Sequence, residues 1–289
     1  MNQPNPTIAP APETARTAHP NQTLWEKGDF TKIADLMRES GDELVAALNI
    51  VPPLRALDLG CGDGTTALPL AVRGADVLGV DIARNLVTAG ERRAAAAGLT
   101  RLKFQEGDAS NLSGLADASL DLTLSVFGAM FSWKPFDVAR ELVRVTRPGG
   151  RIVMGNWIPD DPTSFVSQLL RISSAYTPPP PPGFISPLTW GLEPHIVDRF
   201  AQAGVARDRI ALERATFNFR SAQSTPEGIV ELFRDYYGPT MNAYAAAAQH
   251  GKTDELHRQL VTLANQYNQA GRAGETVISA TYLRVTVQR

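Results

Sequence analysis

Three glycines follow an apolar run near residue 60, in the order Leu-Asp-Leu-Gly-Cys-Gly-Asp-Gly at residues 57–64. Glycine has no side chain, so Gly60, Gly62 and Gly64 let the main chain turn sharply and approach a ligand closely. The helix-forming stretch behind them would present unpaired N–H groups to that ligand. This pattern of strand, turn and helix indicates a nucleotide-type cofactor site, although many α/β proteins also use glycine simply to leave a strand.

Carboxylates end the next two apolar segments. Asp81 closes the run at residues 75–81, and Asp108 follows the run at residues 102–106. Because ligands of open α/β sheets bind at the carboxyl ends of the strands, we expect both acids beside the glycine turn. The alternative for each aspartate is a helix N-cap or a turn residue.

Two residues bear on which cofactor the turn would bind. The dinucleotide spacing G-x-G-x-x-G requires glycine at position 65, where this chain has Thr65. Asp58, two residues before the first glycine, would repel a pyrophosphate but attract an ammonium or a sulfonium. S-adenosyl-L-methionine is therefore favoured over a nicotinamide dinucleotide, and a nicotinamide-dependent oxidoreductase is kept as the alternative.

Four motifs in sequence resemble the class I S-adenosylmethionine-dependent methyltransferases. They are the glycine turn, Gly-Val-Asp at 79–81, Glu-Gly-Asp at 106–108 and Arg-Pro-Gly-Gly-Arg-Ile at 147–152. The best fit, over about residues 24 to 220, is the small-molecule branch similar to the ubiquinone and menaquinone C-methyltransferases (methyltransferase type 11). The resemblance implies a methyltransferase enzyme with a Rossmann-like, doubly wound α/β sheet of seven strands, the last pair antiparallel, and helical lid insertions.

The resemblance also implies roles around the cofactor. Gly60 and Gly62 would face its methionine end, Asp58 would support its amino group, and Asp81 would bind the ribose hydroxyls. Cys61 is also a candidate cofactor contact, and its place inside the glycine turn indicates a small packing residue rather than a catalytic thiol. The remaining implied contacts are Asp108 and the Ala109 amide with the adenine, Ile82 with the adenine ring, and the Ser125 carbonyl with the ammonium.

The acceptor and the catalytic groups are expected on the apolar segments that follow the cofactor motifs. Tyr236 and Tyr237 lie on a helical stripe that could face the acceptor or form core. His195 could take a proton from the acceptor or serve as a capping or solvated histidine. The candidate acceptor contacts are Phe127, Met130, Phe131, Trp133, Trp157 and Trp190, of which the first three could instead be core.

Alternating patterns divide the chain into a tail, a cap and one α/β domain. Residues 1–23 are proline-rich and are expected to be a disordered tail, residues 24–53 are expected to form N-terminal cap helices, and residues 54–289 would be the methyltransferase domain. Strands are predicted near 54–59, 76–81, 101–106, 120–126, 150–156, 210–219 and 276–287. Helices are predicted near 65–73, 84–97, 135–146, 164–175, 193–204 and, in two or three pieces, within 226–268.

Two insertions, at about 157–191 and 222–272, are expected to act as lids. Five consecutive prolines at 178–182 would hold a stiff polyproline II segment, which we interpret as a rigid spacer of the first lid. The alternative is a non-catalytic module that binds an SH3-like partner through these prolines.

Composition limits the possible partners. The formal net charge of -2 argues against a nucleic-acid groove, and no apolar run approaches a membrane span. A single cysteine cannot form an intramolecular disulfide, and the histidines show no metal-ligand spacing. We therefore expect a cytoplasmic protein that acts on a small molecule without a metal, and the sequence does not define its oligomeric state.

Overall fold

Seven strands form one sheet in a computed structural model of the chain, which describes residues 20–272 and 274–289. The strand order is β3-β2-β1-β4-β5-β7-β6, with β7 antiparallel to both of its neighbours and β1 to β5 parallel. This confirms the predicted Rossmann-like sheet with an antiparallel final pair. The strands are β1 (Arg55–Leu59), β2 (Asp76–Asp81), β3 (Leu102–Glu106), β4 (Leu120–Val126), β5 (Thr146–Trp157), β6 (Ile210–Ser221) and β7 (Thr276–Gln288).

Helices connect the parallel strands of the sheet. Parallel neighbours need crossover connections, and α4, α5 and α6 supply them between β1 and β2, β2 and β3, and β4 and β5. Across the described residues the helices are α1 (Pro20–Glu26), α2 (Thr31–Asp35), α3 (Arg38–Ala46), α4 (Ala67–Val72), α5 (Arg84–Ala96), α6 (Pro135–Val145), α7 (Phe165–Ser174), α8 (Glu193–Gln202), α9 (Pro226–Tyr236), α10 (Gly238–Gln249) and α11 (Thr253–Tyr267). Short 3₁₀ turns occupy Ala129–Phe131, Pro187–Gly191 and Arg207–Arg209.

The fifth strand begins earlier than its sequence pattern predicts. Thr146 already pairs with Leu120, but the next paired residue is Arg151, opposite Leu122. The residues between them include Pro148, which has no N–H to donate to a neighbouring strand. The Arg-Pro-Gly-Gly motif is therefore an irregular start of β5 rather than a loop before it.

The N-terminal helices contact several elements of the domain, among them α5 through α1, and α4 and β6 through α3. Helix α1 begins at Pro20, inside the segment predicted as tail, and residues 1–19 of that prediction lie outside the described residues. The insertions pack mainly on each other and on β7, because α7 contacts α10, α11 and β7. Phe165 of α7 illustrates this, with its ring 5.7 Å from that of Phe233 and 6.5 Å from that of Phe219.

The polyproline segment at 178–182 lies exposed on the surface, and so do Phe184 and Ile185 after it. Within the described ranges, no helix combines the length and the apolar character that crossing a membrane requires.

Candidate functional site

The glycine turn connects β1 to α4 and lies between two other strand ends. The backbone N–H groups of Gly60 and Cys61 both donate to the carbonyl of Val80 at the end of β2, at 2.7 and 3.2 Å. A Cβ atom on Gly60 would lie 2.6 Å from the Cα of Gly128, which follows β4. Gly62 has a φ of +56°, and a Cβ on it would meet no atom within 4 Å. The turn is therefore tightly packed beneath and open above, where a ligand can approach its backbone.

Asp81 closes the turn from the side of β2. Its carboxylate accepts hydrogen bonds from the N–H groups of Gly62, at 2.8 Å, and Ala83, at 2.9 Å. Burial raises the pKa of Asp81, and these two N–H donors offset part of that effect. The side chain still reaches the surface of the cleft above the turn. It thus fixes the turn and remains available to hydroxyl groups of a ligand.

Asp58 lies directly beneath the turn and is completely buried. Thr66 donates its hydroxyl to Oδ2 at 2.7 Å, whereas Oδ1 has no hydrogen-bond partner. Burial raises the pKa of Asp58 to about 7, with a further contribution from the charge of Asp81. An unsatisfied carboxylate oxygen here suits a cationic ligand group such as an ammonium and disfavours a pyrophosphate. The residues present therefore fit S-adenosylmethionine.

A third acid of the turn, Asp63, is already engaged by two arginines. Arg38 of α3 donates to Asp63 Oδ1 at 2.7 Å and to the Thr65 hydroxyl at 2.6 Å, and it also bonds the second carboxylate oxygen. Arg93 of α5 lies 3.4 Å from the same carboxylate and donates to the Asp63 carbonyl at 2.6 Å. This network holds the outer end of the turn between α3 and α5, so Asp63 acts as a structural residue.

One cleft collects the carboxyl ends of β1 to β4. It has a volume of ≈ 950 Å³ when counted with the open solvent at its mouth. Asp108 at its far end accepts from the N–H and the hydroxyl of Ser110, both at 2.8 Å, so it shapes its own turn as well. Nine residues predicted from the sequence line the cleft: Gly60, Cys61, Gly62, Asp81, Ile82, Asp108, Ala109, Phe127 and Phe131.

Aromatic side chains form the wall next to the turn. Phe127, at the end of β4, stacks on Trp157 with ring centroids 3.6 Å apart and 7° between the planes. Phe217 of β6 meets Phe127 edge to face at 5.1 Å. Phe127, Phe131 and Phe217 line the cleft and give it an apolar side, with Trp157 packed behind Phe127. Such a wall can hold the flat apolar part of an acceptor.

The N-terminal cap forms the roof of the cleft. Trp25 packs edge to face on Phe131 at 4.9 Å and on Phe30 at 5.6 Å. Asn21 donates its side-chain amide to the carbonyl of Phe131 at 2.6 Å, which joins α1 to the loop after β4. Tyr237, between α9 and α10, supports this roof from behind, with its ring 5.9 Å from Trp25. The insertion containing α9 and α10 thus supports the cap instead of lining the cleft itself.

Several predicted site residues lie outside the cleft surface. Asp58, Ser125, Met130, Trp157 and Tyr237 are buried behind it. Ser125 accepts the N–H of Ala129 through its hydroxyl, at 3.0 Å, and so supports the loop. Trp133 is 52% exposed, Trp190 is completely buried under α8, Tyr236 is partly buried, and His195 is exposed on α8. The structure does not bring these four residues to the site.

The sequence interpretation did not place Asn21, Met37, Ser132 or Phe217 in the site, although all four line the cleft. For Phe217 the sequence does predict burial, because the alternating Phe-x-Phe pattern of β6 indicates a strand with one buried face. Which face reaches the cleft depends on strand order, and the pattern alone does not contain that information.

Burial raises the pKa of the Cys61 thiol well above its usual value, and the nearby Asp81 and Asp58 add to the effect. The thiol is therefore protonated at neutral pH, as expected of a packing residue. Across residues 20–272 and 274–289, no three histidine, cysteine, aspartate or glutamate side chains converge as metal ligands.

Comparisons with known proteins agree with this geometry. A family model described as a methyltransferase domain matches residues 57–154, which include the glycine turn and both strand-end acids. An uncharacterized protein of Mycobacterium tuberculosis is 34% identical over 284 residues, covering 97% of this chain and 98% of the relative. A demethylmenaquinone methyltransferase of Paenarthrobacter aurescens is 34% identical over 114 residues, covering 39% of this chain and 43% of the relative.

The fold is shared with solved structures at low sequence identity. A phosphoethanolamine N-methyltransferase of Haemonchus contortus, solved with phosphomonomethylethanolamine and S-adenosylhomocysteine, superposes with a TM-score of 0.57 and 14% identity. The match covers 93% of this chain and 59% of that protein. At this identity the likeness concerns the fold alone.

Proposed function

Because this chain belongs to the class I S-adenosylmethionine-dependent methyltransferases of the methyltransferase type 11 kind, we propose that its cleft binds S-adenosylmethionine and directs methyl transfer to a small, partly apolar acceptor. One observation carries this proposal: a single cleft joins the glycine turn and its acids to a wall of aromatic rings. The acids suit the cofactor, and the rings suit the acceptor.

The cofactor would be held by groups already oriented for it. The backbone of Gly62 is open to the methionine end, and Asp58 beneath it supplies negative charge for the ammonium. Asp81 is positioned for the ribose hydroxyls, while Ile82 and Asp108 flank the space for the adenine. These assignments extend the family's pattern to this chain.

Positioning is the main catalytic contribution that the cleft can make. S-adenosylmethionine, when bound, would supply an electrophilic methyl group for in-line transfer to a nucleophilic oxygen, nitrogen or carbon, with S-adenosylhomocysteine as the leaving group. Alignment of two reactants lowers a barrier by about 7–11 kcal/mol, compared with about 3–5 kcal/mol from a general base. No histidine, lysine or tyrosine is found among the described residues that line the cleft. A proton would therefore pass to one of the lining aspartates, Asp63, Asp81 or Asp108, or the acceptor would present a nucleophile that ionises readily or needs no deprotonation.

An apolar, flat acceptor fits the rings best. Phe127 and Phe131 form an apolar wall of the cleft, and Trp25 closes it from above. The name of the Paenarthrobacter relative mentions demethylmenaquinone. A hydroquinone of that kind is the first acceptor that we would test, since it combines a flat ring with an ionisable hydroxyl.

Two measurements test the proposal in order. Calorimetric titration with S-adenosylhomocysteine should show binding that Asp81→Ala removes and that Asp208→Ala, an exposed acid on the surface, leaves unchanged. Incubation with labelled S-adenosylmethionine and a metabolite extract should then yield a labelled small molecule. Binding of NADH without binding of S-adenosylhomocysteine would instead support the oxidoreductase alternative.

A further inference from the structure

Arg199 of α8 is a buried cation that the cleft does not use. Its side chain is 2% exposed, and its guanidinium lies over the ring of Trp190 with 4.5 Å between Cζ and the ring centroid. Nη2 donates to the Thr189 hydroxyl at 2.6 Å, but Nε and Nη1 have no hydrogen-bond partner. The indole N–H of Trp190 is also buried and unpartnered. Several N–H donors and a positive charge are thus gathered in one place.

The surroundings neutralise this charge only in part, through the nearby charge of Asp198. In the described part of the chain no carboxylate forms an ion pair with Arg199, and its neighbour Asp198 is exposed and accepts from Gln202. The Thr189 hydroxyl already donates to the Ser186 carbonyl at 2.6 Å. Attraction to the Trp190 ring offsets only part of the cost of burying a charge. Nε and Nη1 of Arg199 and the indole N–H of Trp190 thus remain buried donors without an acceptor.

A helix start adds to the positive character of the site. The guanidinium of Arg199 lies 6.0 Å from the ring of Phe136, in the first turn of α6. The N-cap residue of this helix is Lys134, the first helical residue, Pro135, has no N–H, and no side chain caps the remaining free N–H groups of the first turn. Asp137 in the same turn is paired with Arg140. Helix N-termini attract anions because their N–H groups carry partial positive charge.

From these contacts we propose that Arg199 and Trp190 form a binding site for a small oxyanion, a carboxylate or a phosphate, next to the start of α6. The anion would accept from the guanidinium and the indole N–H and would neutralise the buried charge. Its source is either a free anion or an acidic group of the acceptor, because the two share this chemistry. The site does not depend on the proposed methyl transfer.

The location links this site to the acceptor wall. The 3₁₀ turn Pro187–Gly191, which carries Trp190, packs against the 3₁₀ turn Ala129–Phe131 of the cleft. Ser132 lines the cleft only two residues before Lys134. A bound anion would therefore hold the start of α6 and both turns together behind the aromatic wall.

Anion binding can be measured without any turnover. The full chain is saturated with S-adenosylhomocysteine to occupy the cleft and is titrated with sodium phosphate and with sodium acetate, at constant ionic strength, by calorimetry. We expect saturable binding in the wild type, a loss of at least about tenfold in affinity in Arg199→Met, and no loss in Arg209→Met, which removes an exposed arginine. Phosphate stabilises many proteins nonspecifically. A rise in melting temperature with phosphate therefore supports the site only if the wild type shows it and Arg199→Met does not.

Other results would overturn the proposal. The absence of saturable binding in the wild type, equal binding in Arg199→Met, or equally strong binding of chloride would each do so. If Arg199→Met does not fold, Trp190→Phe removes the indole N–H together with one of the two rings and keeps an aromatic face for Arg199, and unchanged anion affinity in that variant would also contradict the site. Inhibition of labelled product formation by phosphate, relieved by more extract, would assign the site to the acceptor's acidic group. Binding without inhibition would assign it to a free anion.

Discussion

Cofactor binding should depend on pH through Asp58. Its carboxyl is completely buried, and burial raises its pKa from an ordinary value of 3.8 to about 7. An ammonium bound above the glycine turn favours the ionised form of this carboxyl. Below pH 7, the cofactor must therefore displace a proton from Asp58 before the two charges can interact.

The size of this effect follows from the pKa. At pH 6 only about one Asp58 in ten is ionised without ligand, so the apparent affinity should be about tenfold weaker than at high pH, or about 1.4 kcal/mol. The dependence flattens above pH 7. Between pH 5.5 and 7 the ligand's own amino group stays protonated, since α-amino groups titrate near about 7.7 to 8.0.

The assay is calorimetric titration with S-adenosylhomocysteine at pH 5.5, 6 and 7. Each titration is repeated in two buffers of different ionisation enthalpy, which reports the protons released. The wild type should release close to one proton at pH 6, and Asp58→Asn should release none and show a flat affinity. Asp208→Asn, at an exposed acid, serves as the matched control. A wild-type affinity that is constant over this range, with no proton release, would refute the reasoning.

The same carboxyl should lower the stability of the ligand-free protein as pH rises. Between pH 3.8 and about 7 the unfolded chain has lost this proton and the folded chain retains it, so the free energy of unfolding falls over this window. At pH 8 the folded protein bears the full cost of the buried charge, roughly 4 kcal/mol as an upper bound. Asp58→Asn should therefore raise the melting temperature at pH 8 more than at pH 5, and an equal effect at both values would contradict the assignment.

Three further substitutions probe other parts of the cleft. Asp81→Ala removes a carboxylate that accepts two N–H groups and should weaken S-adenosylhomocysteine binding by about 100-fold or more in calorimetry. Gly128→Ala would place a Cβ 2.3 Å from the Gly60 carbonyl oxygen. It should lower the free energy of unfolding in denaturant titration by about 1–3 kcal/mol and should also weaken cofactor binding. A normal melting curve would argue against the close contact. Trp25→Ala opens the roof over Phe131. It should lower kcat/KM for the identified acceptor while it leaves the melting temperature near that of the wild type, and paired kinetics and melting curves measure the two effects separately.

The central sheet was predictable because its signals are local. The first two strands are short apolar runs that end at glycine or aspartate, and the next two alternate between apolar and polar residues. Gly60, Asp81 and Asp108 end successive strands, and parallel strands place those ends at one edge. For these residues, position along the chain is enough to predict position in space.

The roof of the cleft was not predictable in the same way. Trp25 and Phe30 lie on an amphipathic segment whose pattern says only that it packs on something. Their place over the cleft depends on Tyr237, more than 200 residues later, and on close backbone contacts such as that between Gly28 and the Tyr236 carbonyl. The insertions were expected as lids because of their length, but their apolar faces are used in contacts with β7 and with each other.

Phe127 shows most clearly why the acceptor wall required the structure. Its φ of +56° is a conformation that side chains other than glycine rarely adopt, at a cost of about 1–2 kcal/mol. Stacking on Trp157 and contact with Phe217 offset this cost, and the N–H of Phe127 donates to the Gly155 carbonyl at 2.9 Å. The next residue, Gly128, then lies directly against the glycine turn. The strained backbone thus joins the acceptor wall to the cofactor turn, so the two surfaces that must align the reactants are held by one contact.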